Sequence, residues 1–430
     1  FCSFSRCLNL FFCAGGVEDV MRIIFLFLIL LNTVLPVYAH IQEHEEQIKP
    51  GYTPFLQEEE VFSSVNFLKD QIPCNGYVRA GYIQTDHSSA TALGGAVGCA
   101  YQLNSVIKTH LSLYASWSPG VNSENDENIQ GEFFNSKQDS YLIVGEAYLT
   151  LSYEQFHARL GRQHFDSPHI DSDDLRMIPN LFEAYLLDTH VSDELAMGIG
   201  FVREAAGWEN GANASQFVSI GEALGGESSG AWLSWLSYQH DIISSDSWFY
   251  YIPDHLTQFY SEFIMSDELS ADFSYRLGLQ YDWGKDAGNA KLGRVDAHTL
   301  GILSAITWSD LTLTAAYNKN FGNTGALASV GGGPFFTSVE DQMLDVVEGV
   351  DAESILLSVE YHLNDFVDLG VMAGKFSASN KKDYNKEELN VFINFNWGEI
   401  VDAEVLYAVV DDLTPGPDWH QVRAIVTYHY

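Results

Sequence analysis

From residue 76 onward the sequence alternates: apolar or aromatic side chains take every second position over successive short stretches. That is the period of an extended strand and not of a helix. The C-terminus shows it plainly. Val422, Ala424, Val426, Tyr428 and Tyr430 share one face, while Gln421, Arg423, Thr427 and His429 share the other, with Ile425 an exception. Phe273, Tyr275, Leu277, Leu279, Tyr281 and Trp283 likewise alternate with Asp272, Ser274, Arg276, Gln280 and Asp282. Leu389, Val391, Ile393, Phe395 and Trp397 alternate with Asn390, Asn394 and Asn396.

The pattern predicts strands near 76–85, 92–103, 106–117, 139–151, 155–165, 181–190, 194–205, 230–240 and 245–251. Nine more follow near 256–265, 270–283, 296–308, 311–321, 352–363, 366–377, 387–398, 401–410 and 420–430. Links after even strands are short, as at Asn104-Ser105, Tyr153-Glu154, Ser309-Asp310, Asn364-Asp365 and Glu399-Ile400. Links after odd strands are mostly long: 118–138, 166–180, 206–229, 284–295 and 322–351, with the short one near 252–255 the weakest point of the pattern. Turns on one rim and loops on the other are the plan of an outer-membrane barrel with both termini in the periplasm. The expected fold is therefore all-β, a transmembrane antiparallel β-barrel of about 18 strands.

A soluble sandwich also alternates, but its apolar face is a core of aliphatic side chains. Here the apolar faces end in Tyr, Trp and Phe at strand tips, as in the aromatic girdles of membrane barrels. The aromatics are thus expected on the lipid face and its rims. No apolar run after the leader is long enough for a spanning helix.

The front of the chain reads separately. Met21, Arg22 and the apolar run Ile23 to Leu31, ending at Val37-Tyr38-Ala39, have the layout of a secretory signal with cleavage after Ala39. Residues 1–20 contain no Met and read as an over-extended translation start; residues 40–75 form an acidic periplasmic lead, and the barrel is expected over 76–430. Cys74 and Cys99 share an oxidising compartment. A first hairpin centred near residues 88–89 would set them about four residues out of register, which argues against a bond.

With 21 Lys and Arg against 58 Asp and Glu, the chain carries a net charge of -37. Nucleic acid is excluded as a partner, since phosphates attract basic surfaces. Disorder is excluded too, because 13% of the residues are aromatic.

If the apolar face meets lipid, the other face meets the lumen. The expected lumenal carboxylates are Glu146, Glu183, Glu262, Asp272, Asp282, Glu360, Asp368, Asp402 and Glu404; the cations are Arg79, Lys108, Arg159, Arg276 and Arg423. An acidic excess biases a pore toward cations. The rival role for these groups is to bond across the wall and hold the barrel open. A barrel of this size encloses an aqueous channel unless a loop fills it.

One loop stands out. After Gly161-Arg162-Gln163 come Pro168, Asp171-Ser172-Asp173-Asp174-Leu175-Arg176-Met177-Ile178-Pro179 and Asn180-Leu181-Phe182-Glu183. Leu175, Met177 and Ile178 are anchors for packing inward against the wall. Asp171, Asp173 and Asp174 would then face Arg159 and Arg176 across a narrow opening.

This run resembles the OprD family of outer-membrane porins. Support comes from Gly76-Tyr77-Val78-Arg79-Ala80-Gly81-Tyr82-Ile83 and from Gly331-Gly332-Gly333-Pro334-Phe335-Phe336-Thr337-Ser338. The resemblance implies an eighteen-stranded channel narrowed by its third external loop and passing small polar solutes, often basic amino acids or peptides. It also implies an acidic loop, matched by Asp171, Asp173, Asp174 and Arg176, set against a row of lumenal arginines. Arg159, Arg276 and Arg423 fit that row, which is thinner here than in the family.

Other clusters carry little. The Asp171 to Asp174 run lacks the spacing of a calcium loop. His40 and His44 among acids read as a solvated tail, and loop 118–138 as solvated outer surface. No Gly-x-Ser-x-Gly elbow or His-Glu-x-x-His occurs, so no catalytic site, metal or cofactor is expected. The expected partners are outer-membrane lipids, small polar solutes and the barrel assembly machinery, which would read Val422, Val426, Tyr428 and Tyr430. Monomer and trimer are both compatible with the pattern. The reading is a passive cation-biased channel in a bacterial outer membrane; its rivals are an adhesive barrel with long binding loops and a barrel lipase.

Overall fold

The computed structural model describes residues 73–430 apart from 124–127, 212, 380, 383 and 415. The expected extension, the signal segment and the acidic lead as far as residue 72 lie outside the described residues. Strands run in order as β1 (Cys74–Thr85), β2 (Ser89–Gln102), β3 (Ile107–Trp117), β4 (Tyr141–Tyr153), β5 (Phe156–Gln163), β6 (Leu181–His190) and β7 (Leu195–Ala206). A two-residue strand, β8 (Val218–Ser219), precedes β9 (Ala231–His240), β10 (Ile243–Ile252), β11 (Leu256–Ser270), β12 (Phe273–Asp286) and β13 (Asp296–Trp308). Then come β14 (Leu311–Asn320), β15 (Glu353–Asn364), β16 (Val367–Ser377), β17 (Asn385–Trp397), β18 (Val401–Asp412) and β19 (Trp419–His429).

β7 pairs directly with β9, and β8 adds only two residue pairs at the end of β7. The wall therefore has eighteen strands, each antiparallel to its neighbours, and closes where β19 pairs with β1. Closure removes every sheet edge, which a strand in hydrocarbon requires. Every strand expected from the alternation is present. Turns such as 154–155, 309–310 and 365–366 occupy one rim, and loops 118–140, 164–180, 207–230, 287–295 and 321–352 the other.

The two faces differ as the alternation requires. On β3, Leu111, Leu113 and Trp117 are exposed outward while Ser112, Tyr114 and Ser116 are buried inward. The interior is not evenly filled. Beside β6, β7 and β9–β11, inward side chains Trp235, Trp248 and Tyr250 pack with Phe165, Ile170 and Ile220 from the loops. The Trp235 and Trp248 rings stack at 5.1 Å. The expectation that aromatics keep to the lipid face thus holds only in part, because loops that fold inward bring apolar surface the wall must match.

The first hairpin corrects another expectation. It closes at Thr85–Ser88, where the Thr85 amide donates to the Ser88 carbonyl at 2.8 Å. That earlier turn sets Cys74 directly opposite Cys99, and the two form a disulfide.

Candidate functional site

The third long loop, 164–180, turns into the barrel. Met177 and Ile178 are buried, Met177 against Phe133 and Ile83, while Leu175 is only half-buried. Anchored there, the loop presents Asp174 to Arg79 on the inner face of β1. Arg79 Nη1 donates to Asp174 Oδ1 at 2.6 Å and Nη2 to Oδ2 at 2.8 Å. Nη1 also donates to the Arg176 carbonyl at 2.6 Å, and Nε to Thr427 Oγ1 at 3.1 Å. A fork-to-fork pair of this kind fixes geometry as well as charge.

Arg176 points the other way, forming ion pairs with Glu132 at 2.5 Å and Glu340 at 3.6 Å. Glu132 belongs to a single 3-10 turn, Gly131–Phe133, whose Phe133 is buried in the lumen. Loop 118–140 is therefore no mere solvated outer surface in its described part. Glu340 comes from loop 321–352, where it also meets Arg423 on β19.

The infolded loops are tied to each other. Asp171 N donates to Val330 O at 2.8 Å, and Val330 N to His169 O at 3.0 Å. Gly331, at φ +117°, allows this approach: a Cβ there would stand 2.7 Å from the Asp171 Cβ. His169 is buried between Tyr250, Tyr260 and Phe335, with Nε2 3.3 Å from Asp282 Oδ1.

Several loop carboxyls are held toward their neutral form. Burial, reinforced by the Asp166 carboxylate, pushes Asp171 up to about 8. Burial also raises Asp173 to about 6 against the pull of Arg176, and raises Asp341 to about 8 with help from Glu340.

The expected lumenal residues divide into groups. Glu146 accepts from the Tyr114 hydroxyl at 2.9 Å and lies 3.3 Å from His110. Glu262 accepts from Tyr260, and Glu360 from Ser358. Asp368 pairs with His362 at 2.7 Å, Asp402 with His429, and Glu404 with Arg423 at 2.9 Å. Lys108 and Arg276 lie on inward positions of β3 and β12 and are exposed. Asp282 faces inward but is spent on His169 rather than open to solute.

Two assignments are corrected. Glu183 lies on the outer face with Tyr185 and Leu187, held by Arg203 at 2.8 Å and Arg162 at 3.7 Å. The inward positions of β6 nearest the loops, Phe182, Ala184 and Leu186, are apolar because the loops cover them, so the charge of Glu183 gave the wrong phase; the inward charge of this strand is Asp188. Asp272 sits in the exposed turn between β11 and β12, past the end of the strand. Arg159 faces inward but lies over the Tyr148 ring at 5.2 Å, and it is Arg79 that takes the Asp174 carboxylate.

Glu132 and Glu340 were missed because both loops read as external. Their signal was the apolar content beside them, Phe133-Phe134 and Pro334-Phe335-Phe336, which has no reason to stand in water. At the seam, Tyr430 exchanges backbone bonds with Gly76 at 3.0 and 3.1 Å, and Tyr428 is exposed outward.

A closed eighteen-stranded wall around a polar lumen, narrowed by loops that fold inward, defines a porin. The family model for "outer membrane porin, OprD family" matches residues 118–376, and the chain belongs to that family of the bacterial outer membrane. No curated relative matches the sequence. Among solved structures the fold is similar to Acinetobacter baumannii OccAB4 (17% identity, 84% of this chain and 98% of that one, TM-score 0.72). It is also similar to Acinetobacter baumannii OccAB3 (13%, 84% and 99%, TM-score 0.74). A third is Pseudomonas aeruginosa OpdK, solved with vanillate (17%, 85% and 99%, TM-score 0.68).

Proposed function

We propose that this porin is a passive channel for small polar solutes with a preference for cations, amino acids and small peptides with a net positive charge included. Flux follows the gradient and no bond is made or broken. The observation that carries the reading is the state of the arginines around the infolded loops. Arg79, Arg176 and Arg423 are each engaged by a carboxylate from a loop, and further carboxylates remain beyond those pairs. Asp402 and Glu404 line a recess of about 240 Å³ together with Arg79, Asp174, Leu175 and Asn394.

Acid in excess over fixed cation raises the local concentration of positive solutes. In this reading Asp171, Asp173, Asp174 and Arg176 form the constriction, and Val422, Val426, Tyr428 and Tyr430 are what the assembly machinery reads. The adhesive alternative loses support where loop 321–352 spends its apolar residues inside the barrel. The deciding experiment is a planar-bilayer recording of the purified protein in a salt gradient. A cation-selective reversal potential is expected; an anion-selective sign would falsify the preference, and no conductance steps would remove the channel.

A further inference from the structure

The outer face of β5–β7 carries a charged row that the channel does not use. Arg162, Glu183 and Glu204 stand opposite one another across two ladders, where the strands meet loops 164–180 and 207–230. The register of β6 and β7 shifts at this point, a bulge that turns Arg203 out beside Glu204. One carboxylate oxygen of Glu183 faces each guanidinium: Oε1 accepts from Arg203 Nη1 at 2.8 Å, and Oε2 lies 3.7 Å from Arg162 Nε. Arg203 Nη2 also reaches Glu204 at 3.1 Å, and the Phe217 ring lies 4.1 Å from the Arg162 guanidinium carbon. The two cations are outermost: the Arg203 and Arg162 side chains are 54% and 36% exposed, and that of Glu183 beneath them 13%. Next along the strands, away from the loops, Tyr185, Phe201 and Trp232 form an aromatic band across β6, β7 and β9.

Aromatic belts of this kind mark the level of the lipid headgroups, so the row stands among headgroups and not in hydrocarbon. In a bacterial outer membrane the outer leaflet holds a glycolipid whose sugars carry phosphate. We propose that Arg162 and Arg203 form a docking site for a phosphate of this glycolipid. A guanidinium fork matches phosphate oxygens two at a time, and two forks flank one point here. Surface ion pairs hold an arginine only weakly, so a doubly charged phosphate can enter between them. Lys285, Lys319 and Lys375 also face outward near the loops, but each stands across its ladders from neutral or acidic residues. A chain of net charge -37 is repelled by an anionic leaflet, and a cationic contact at this level offsets the repulsion. The site depends on the protein's place in the outer membrane, not on which ions the lumen passes.

The test uses the full-length protein refolded without lipid in maltoside detergent, with folding checked by heat-dependent gel migration. Native mass spectrometry then follows titration with bis-phosphorylated lipid A and with the same lipid dephosphorylated. Arg162→Gln and Arg203→Gln should each weaken binding of the phosphorylated lipid about fivefold, and together about thirtyfold, from the usual contribution of one basic side chain beside an anionic headgroup. Lys285→Gln, the same loss of charge elsewhere on the rim, should bind as wild type does. If a glutamine variant does not fold, Arg203→Lys replaces it: it keeps the charge, loses the fork and should also bind more weakly. Equal affinity of wild type and the folded double variant, or of the two lipids, overturns the site. An equal loss in Lys285→Gln overturns it as well, since overall charge would then suffice. Loss of lipid binding in equimolar inorganic phosphate overturns the lipid as its occupant.

Discussion

Arg79 and Asp174 lie 95 residues apart in the chain, yet two guanidinium nitrogens meet two carboxylate oxygens at 2.6 and 2.8 Å. The pair joins the first strand of the wall to the loop that narrows it. Asp174→Asn removes the charge from the fork while Arg79 stays buried; the Asp174 side chain is 43% exposed, so solvent screens part of the loss, and Arg79 keeps its bonds to Thr427 and the Arg176 carbonyl. The loop should loosen, and single-channel recordings should show a larger, noisier conductance than wild type. An unaltered trace would mean that Met177 and Ile178 hold the loop without help.

Changing Asp171, Asp173 and Asp174 together to Asn should reduce cation preference, read as a smaller reversal potential in the same salt gradient. If the potential does not move, the loop's carboxylates stand away from the path of the ions.

The raised loop carboxyls give a pH dependence with a definite sign. Asp173 at about 6, and Asp171 and Asp341 at about 8, bind protons in the folded state that they would lose when unfolded. Their contribution to loop stability is therefore complete below the ordinary carboxylate range and is lost as pH rises through 6 to 8. Over the same window they gain negative charge. Cation selectivity should be greater at pH 9 than at pH 5, and hydrogen exchange across 164–180 should be faster at pH 9 after correction for its intrinsic pH dependence. Equal selectivity at both values would show that these groups do not face the ions.

Gly331→Ala should separate the two infolded loops. Its Cβ would overlap Asp171, and φ is +117°, so both sterics and backbone oppose it. The expected readout is a changed conductance with the heat stability of the wall preserved, because the ladders are untouched.

Replacing Cys74 and Cys99 by Ser removes a closure of about 25 residues, worth about 3 kcal/mol in a chain-entropy model. The folded band should convert to the unfolded one at lower temperature on gels. Identical conversion in the reduced and oxidised wild type would contradict this.

The wall was legible because period-two alternation states both strand and face, and lipid leaves no other way to satisfy the backbone. What sequence could not convey was which loops turn inward. Loop 164–180 announced itself through Pro168, Pro179 and its mixed anchors, whereas Glu132 sat in a segment whose acidity looked like solvent exposure and Glu340 in a long loop expected at the outer rim. Glu183 failed for a related reason: the loops cover Phe182, Ala184 and Leu186 on the inner face of β6, so apolar residues there no longer mark the lipid side, and the inward charge of this strand is Asp188. Asp272 failed by one residue, because β12 starts at Phe273. The arginine facing Asp174 was misassigned because the pairing depends on how far the loop reaches, which spacing along the chain does not record.

The apolar infill beside β6, β7 and β9–β11 has a consequence for how this protein can change over time. Trp235, Trp248 and Tyr250 carry no charge to the solute path, while Arg79, Arg423 and Glu404 stand on strands at the closing seam. Durability and ion choice are thus assigned to different arcs of one wall. Substitutions in the first arc can trade heat resistance without altering what permeates, and those in the second can retune cargo while the cylinder stays intact.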